Sequence, residues 1–205
     1  SNTAVSSVTV NTTPTLSVNS GSICSGNSFT INATGANSYT YSSGSSVITP
    51  SVSVSVSVTG TSSLGCLSSN TAVSNITVNT TPTLTVNSGS ICSGNSFTLS
   101  PGGALTYTYS GGSSIVTPTS TSSYTVTGTS AQGCTATPVV SNVTVNITPT
   151  LSVNSGSICS GQSFTINPTG ASLFTVSGAT TVVSPTVTTN YTVTGGSTAG
   201  CPASN

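Results

Sequence analysis

SVSVSVSV, residues 51–58, alternates without a break for eight positions and decides the fold. A side-chain period of two places Val52, Val54, Val56 and Val58 on one face of an extended strand. SYTVTG at 123–128 and NYTVTG at 190–195 stand at the corresponding places further along the chain. SFTIN at 28–32, SYTYS at 38–42 and AVSNITVN at 72–79 alternate more loosely. Pro50, Pro118 and Pro185 punctuate the chain just before each of the alternating stretches. No window carries a 3.6-residue apolar stripe, and a chain built from Ser, Thr, Val and Gly disfavours helix. The chain is therefore expected to be all-β.

These stretches recur because the chain is a repeat. Residues 1–30 and 69–98 differ only at Ser7/Asn75, Val8/Ile76 and Ser17/Thr85, and a third copy opens at Ser141. Cys24, Cys92 and Cys159 are spaced by 68 and 67 residues, as are Cys66, Cys134 and Cys201. Six or seven short strands per period make a small β-sandwich. The expected division is residues 1–11 as an orphan closing strand, then repeats over 12–79, 80–147 and 148–205, the last without its closing strand. Pro14, Pro82 and Pro149 recur in TPTL between repeats. Proline fixes φ and cannot donate to a ladder, so these joints are expected to be stiff and the repeats to stack as a linear rod.

Composition removes whole classes of function. The 205 residues contain no Lys, Arg, Asp, Glu or His, while 45 Ser and 42 Thr supply over two-fifths of the chain. General acid–base catalysis has no group to use, and a Ser or Cys nucleophile has no base beside it. Calcium sites and catalytic zinc sites lack their usual ligands. Without cations the chain cannot neutralise phosphate, so neither nucleic acid nor an anionic membrane surface is an expected partner. No apolar run is long enough for membrane insertion as a helix. The expectation is a protein that is not an enzyme and holds no cofactor or metal. The opening at Ser1, without a basic and apolar leader, reads as a processed or excised segment.

The series ICSGNSFT, a YTY or FTV strand, Pro followed by YTVTG, and then GC resembles bacterial Ig-like repeats related to PKD-type domains. Such repeats occur in very large secreted adhesins and surface filaments of gliding Bacteroidota. The resemblance extends over the whole chain. It implies an Ig-like sandwich, an extracellular or cell-surface location and a structural or adhesive role. Tyr41, Tyr109 and Val176 stand near the family's third-strand Trp position, and Tyr124 and Tyr191 resemble its strand Tyr whose hydroxyl bonds back to a corner.

Cys24, Cys66, Cys92, Cys134, Cys159 and Cys201 have no CxxC spacing and read as disulfide partners, which places the chain in an oxidising compartment. One pairing closes each repeat on itself: Cys24–Cys66, Cys92–Cys134 and Cys159–Cys201. In a seven-strand Ig-type sandwich the two cysteines of a repeat fall at opposite ends, which favours Cys24–Cys134 and Cys92–Cys201. Cys66 and Cys159 then remain to pair between successive molecules. One strand fewer reverses the parity, so both pairings stay open.

Residues 1–11, SNTAVSSVTVN, match the closing strand at 69–79, and the third repeat has no such strand after Cys201. An open sandwich exposes backbone and core, so the segment, with Val5, Val8 and Val10 as donor residues, is expected to complete the third repeat of the next molecule. Head-to-tail addition of this kind makes a filament of copies of the chain; the alternative is that 1–205 is a window on a longer repeat protein. A chain without net charge has little colloidal protection of its own, and covalent glycans would supply it. Sequons stand at Asn11, Asn32, Asn75, Asn79, Asn142, Asn146 and Asn190. The expected function is a structural subunit or segment of an extracellular bacterial filament or adhesin stalk. The other readings are a carbohydrate-binding adhesin module that stacks sugars on Tyr39, Tyr41, Tyr107 and Tyr109 and, as a minor one, an ice-binding repeat.

Overall fold

The computed structural model describes residues 2–178 and 180–204, so Ser1, Ala179 and Asn205 of the expected segments lie outside the described residues. Its described secondary structure is all β. The first repeat contains β1 (Ser17–Val18), β2 (Gly21–Cys24), β3 (Phe29–Thr30), β4 (Ala33–Thr34), β5 (Ser38–Tyr41), β6 (Val47–Ile48), β7 (Val54–Thr61) and β8 (Ala72–Asn79). The second contains β9 (Gly89–Cys92), β10 (Phe97–Thr98), β11 (Thr106–Tyr109), β12 (Ile115–Val116), β13 (Ser122–Thr129) and β14 (Val139–Asn146). The third contains β15 (Phe164–Thr165), β16 (Leu173–Val176), β17 (Val182–Val183) and β18 (Val193–Gly196).

In the first repeat the larger sheet runs β2-β8-β7-β5, and the second repeat copies it as β9-β14-β13-β11. β8 is antiparallel to β7 but parallel to β2, with Gly21 opposite Ile76 and Cys24 opposite Asn79. The short antiparallel pair β3–β6 forms the other layer. The chain thus consists of tandem Ig-like β-sandwich repeats. Leu16, Ile31, Val56, Val58, Ala72 and Ile76 form the first core, with Phe29, Tyr39, Tyr41 and Ile48 packed against it.

The alternating stretch behaves as its period dictates from Val54 onward: Val56 and Val58 are buried. Val52 departs from this expectation. It precedes β7, has no ladder to hold it, and is 71% exposed.

The chain forms two compact units: everything up to Thr83 together with Thr129–Ala136, and Leu84–Gly128 together with the chain from Thr137 onward. The turn 129–136 belongs to the first unit because its Cys134 is bonded to Cys24.

Gly35 has φ +103°, and a methyl there would overlap the Thr15 carbonyl oxygen; Gly170, at φ +89°, meets Thr150 in the same way. Gly26 has a similar φ of +86° but open space around it. Gly35→Ala should therefore cost about 3 kcal/mol in chemical denaturation, against about 1 kcal/mol for Gly26→Ala, where only the left-handed backbone is penalised. Equal losses would show that the carbonyl contact does not matter.

Candidate strand-acceptor groove

β8 and β14 are each clamped on two sides. Beyond the ladders, Ser74 Oγ donates to the Asn19 carbonyl at 2.7 Å, and Ser141 Oγ to that of Asn87 at 2.6 Å. Both serines are fully buried, as their satisfied hydroxyls allow. The Asn75 and Asn142 amides donate to Ser20 Oγ and Ser88 Oγ, at 2.9 and 3.0 Å. Val78 N–H and Val145 N–H donate to Ser53 Oγ and Thr121 Oγ1, at 3.0 and 3.1 Å. On the outer face Ser55 and Ser123 donate to the side-chain oxygens of Asn75 and Asn142, both at 2.7 Å.

The third repeat has the frame for such a strand but, among the described residues, no strand in it. Residues 156–159, which correspond to β2 and β9, have no ladder. β18 keeps only its half that pairs with β16, whereas β7 and β13 are eight residues long. Backbone groups without partners do not sustain a strand. Between 153–160 and 185–191 lies a groove of about 700 Å³, lined below by Phe164, Ile166 and Val183. At its far end the two walls meet, Ser160 Oγ donating to the Thr186 carbonyl at 3.2 Å and Gly161 N–H to that of Pro185 at 3.1 Å. One wall is fixed as in the closed repeats: Asn154 donates through Nδ2 to the Thr165 carbonyl at 2.9 Å and accepts from the Asn167 amide at 2.6 Å. Asn19 and Asn87 hold their repeats by the same two bonds. These three asparagines were not singled out by sequence reasoning; their recurrence in VNSG was the available signal.

Residues 2–11 carry no strand and are exposed throughout, Val5 at 95%, Val8 at 84% and Val10 at 87%. Val8 corresponds to buried Ile76 and Val10 to half-buried Val78, but Val5 corresponds to Val73, which is 46% exposed. In β8 itself Val73 lies on the outer face, and Ala72 and Ser74 point inward beside Ile76, because successive residues point to opposite faces.

Two disulfides join successive repeats: Cys24–Cys134 and Cys92–Cys201, each with Cα atoms 5.6 Å apart. Cys66 is half-buried and Cys159 exposed, and both are free thiols. Two structural disulfides are chemistry of an oxidising compartment. The sequon residues Asn11, Asn32, Asn75, Asn142 and Asn190 are exposed, while Asn79 and Asn146 are half-buried.

The tyrosines serve as framework. Tyr39 Oη donates to the Ala36 carbonyl at 2.8 Å and accepts from the Ala36 amide at 3.1 Å; Tyr107 does the same at Ala104. Among the described hydrogen bonds these are the hydroxyls that bond back to a corner, rather than those of Tyr124 and Tyr191. The reason is position: β5 and β11 start beside the corner, while β13 and β18 do not. All six tyrosines are half-buried.

No family model and no curated protein matches the chain. Solved structures similar to it include a Ca2+-stabilized adhesin that helps an Antarctic bacterium reach out and bind ice, at 17% identity and TM-score 0.38 over 80% of this chain and 60% of that one. Extracellular domains 3–5 of Drosophila OTK match at 12% identity and TM-score 0.37, over 65% of this chain and 62% of that one. The N-terminal eight Ig domains of Down Syndrome Cell Adhesion Molecule isoform 1.30.30 match at 12% identity and TM-score 0.27, over 93% and 39%. The chain thus spans less than two thirds of each of these. At such scores the fold rests on the strand order described above.

Proposed function

We propose that the chain is a structural subunit of an extracellular filament or adhesin stalk, polymerised by insertion of residues 2–11 of one molecule into the third-repeat groove of the next. The observation that carries this reading is the groove between 153–160 and 185–191, at the place that β8 and β14 fill in the closed repeats. Each contact that clamps β8 has a counterpart there. Ser6 Oγ meets the Asn154 carbonyl, Ser7 N–H meets Ser155 Oγ, and Val10 N–H meets Thr188 Oγ1.

One outer-face pair is kept with its members exchanged. The internal repeats oppose Ser55 to Asn75 and Ser123 to Asn142. In the exchanged junction Asn190 opposes Ser7, so the serine and the asparagine have traded places. The same hydrogen bond forms with donor and acceptor strands reversed.

The purified chain should assemble into filaments visible by electron microscopy, and removal of residues 1–11 should leave monomers. With no charged side chain involved, the filaments should persist through mild acid, mild base and molar salt. Monomeric full-length chain, or filaments that still form after the truncation, would refute strand exchange. The first result would point to repeats that continue within a longer protein.

A further inference from the structure

Three turns of this molecule present a cysteine in one local frame. Ser62, Ser130 and Ser197 each donate their amide to the carbonyl of Cys66, Cys134 and Cys201, at 2.9, 2.9 and 2.8 Å. Each serine Oγ accepts the same cysteine's amide at 3.1 Å. The opposite partners also share a frame: Asn27, Asn95 and Gln162 donate their amides to the carbonyls of Cys24, Cys92 and Cys159, all at 3.0 Å. Two members of the first set are already joined to two of the second, as Cys134–Cys24 and Cys201–Cys92. Cys66 and Cys159 are the remaining ones.

The closing strand brings these partners together. Asn79 ends β8 opposite Cys24, and its carbonyl is 3.9 Å from Cys134 Sγ; the Asn146 carbonyl is 3.9 Å from Cys201 Sγ. From that asparagine to the cysteine of the following turn is 55 residues in both cases. From Asn11 to Cys66 is again 55 residues. A donor segment seated like β8 puts Asn11 beside Cys159, and the chain leaving Asn11 folds into the repeat that carries Cys66.

We infer that strand insertion delivers Cys66 of the donor molecule onto Cys159 of the acceptor, and that a disulfide then converts reversible docking into a covalent, register-checked polymer. The inference rests on strand exchange but adds a step that exchange does not require. Two thiols lose two protons and two electrons to a small disulfide oxidant such as oxidised glutathione, which is reduced to two thiols; the new bond is Sγ–Sγ between molecules. The geometry is selective. The existing pairs have Cα atoms 5.6 Å apart. A slip of two residues along the groove preserves the inward face but moves Asn11 by about 7 Å, outside disulfide reach. Misregistered junctions therefore stay reversible and can dissociate.

The test uses full-length chain assembled in a buffer of reduced and oxidised glutathione, read by electron microscopy and by boiled SDS gels without reductant. Wild type should give filaments and a ladder of multimers that reductant collapses to monomer. Cys66→Ser and Cys159→Ser should each give filaments that boil to monomer. An equal mixture of the two variants should give cross-linked dimers and nothing longer, because a junction needs Cys159 from one variant and Cys66 from the other. A ladder surviving either substitution, or wild-type filaments that boil to monomer, would overturn the lock and leave strand exchange standing. Monomers under the microscope in every sample would overturn strand exchange itself.

Discussion

Val8→Asp should leave the subunit folded and abolish its assembly. Val8 is exposed in the subunit, so the substitution touches no core there. Its counterparts in the closed repeats, Ile76 and Val143, are at most 2% exposed. Docking would carry a carboxylate into that layer with no cation to meet it, because the chain contains none. The cost of about 4 kcal/mol or more lowers junction affinity by roughly a thousandfold. Val8→Ile, which restores the internal repeats' own residue, should assemble like wild type. The acidic variant should also regain assembly in part at low pH. Burial disfavours the carboxylate and raises its pKa in the docked state, so stability absent at neutral pH returns as the group protonates. Sedimentation velocity at neutral and acidic pH measures both effects. Normal assembly of Val8→Asp at neutral pH would show that this residue does not enter the groove.

The second large effect is on stability. Cys24–Cys134 closes a loop across 110 residues, and in the chain-entropy model a loop of that size restrains the unfolded chain by about 4–5 kcal/mol. Removing both thiols together, as Cys24→Ser with Cys134→Ser, avoids leaving a stray cysteine. Calorimetry should then show the first unit melting about 20–35 °C lower, with the second unit, stapled by Cys92–Cys201, little changed. A shift under about 3 °C would mean that the fold, and not the staple, holds the turn 129–136 in place.

Much of the architecture was legible in the residues. The 67–68-residue period, the β class and the phase of the cysteines can all be read along the chain, because repetition and alternation are one-dimensional properties. What could not be read depends on partners. Val52 continues the alternation of 51–58, yet period alone cannot say where the neighbouring strand begins to pair. Which face of residues 2–11 matches the buried face of β8 is hidden for a related reason. Hydropathy favours the valine, but Val5 and Val8 are three residues apart and must face opposite ways. In the closed repeats the inward place falls to serine: Ser74 and Ser141 are buried only because a carbonyl accepts their hydroxyl. The Tyr39 and Tyr107 corners were missed similarly, since which hydroxyl reaches a corner depends on where the strand starts in space. The groove was legible as a missing strand, whereas the Asn154 clamp was not: it is a tertiary contact of a residue with no hydropathic signature.

The parallel pairing of β2 with β8 also determines how a repeat answers tension. Chain enters β2 at Gly21 and leaves β8 at Asn79, and in a parallel pair these two points lie at opposite ends. A pull on them drags the strands past each other lengthwise. All the ladder bonds between them must then rupture together, instead of opening one at a time like a zip. Resistance of this kind is governed by the unfolding rate and not by equilibrium stability. A repeat can therefore be thermodynamically modest and still withstand load.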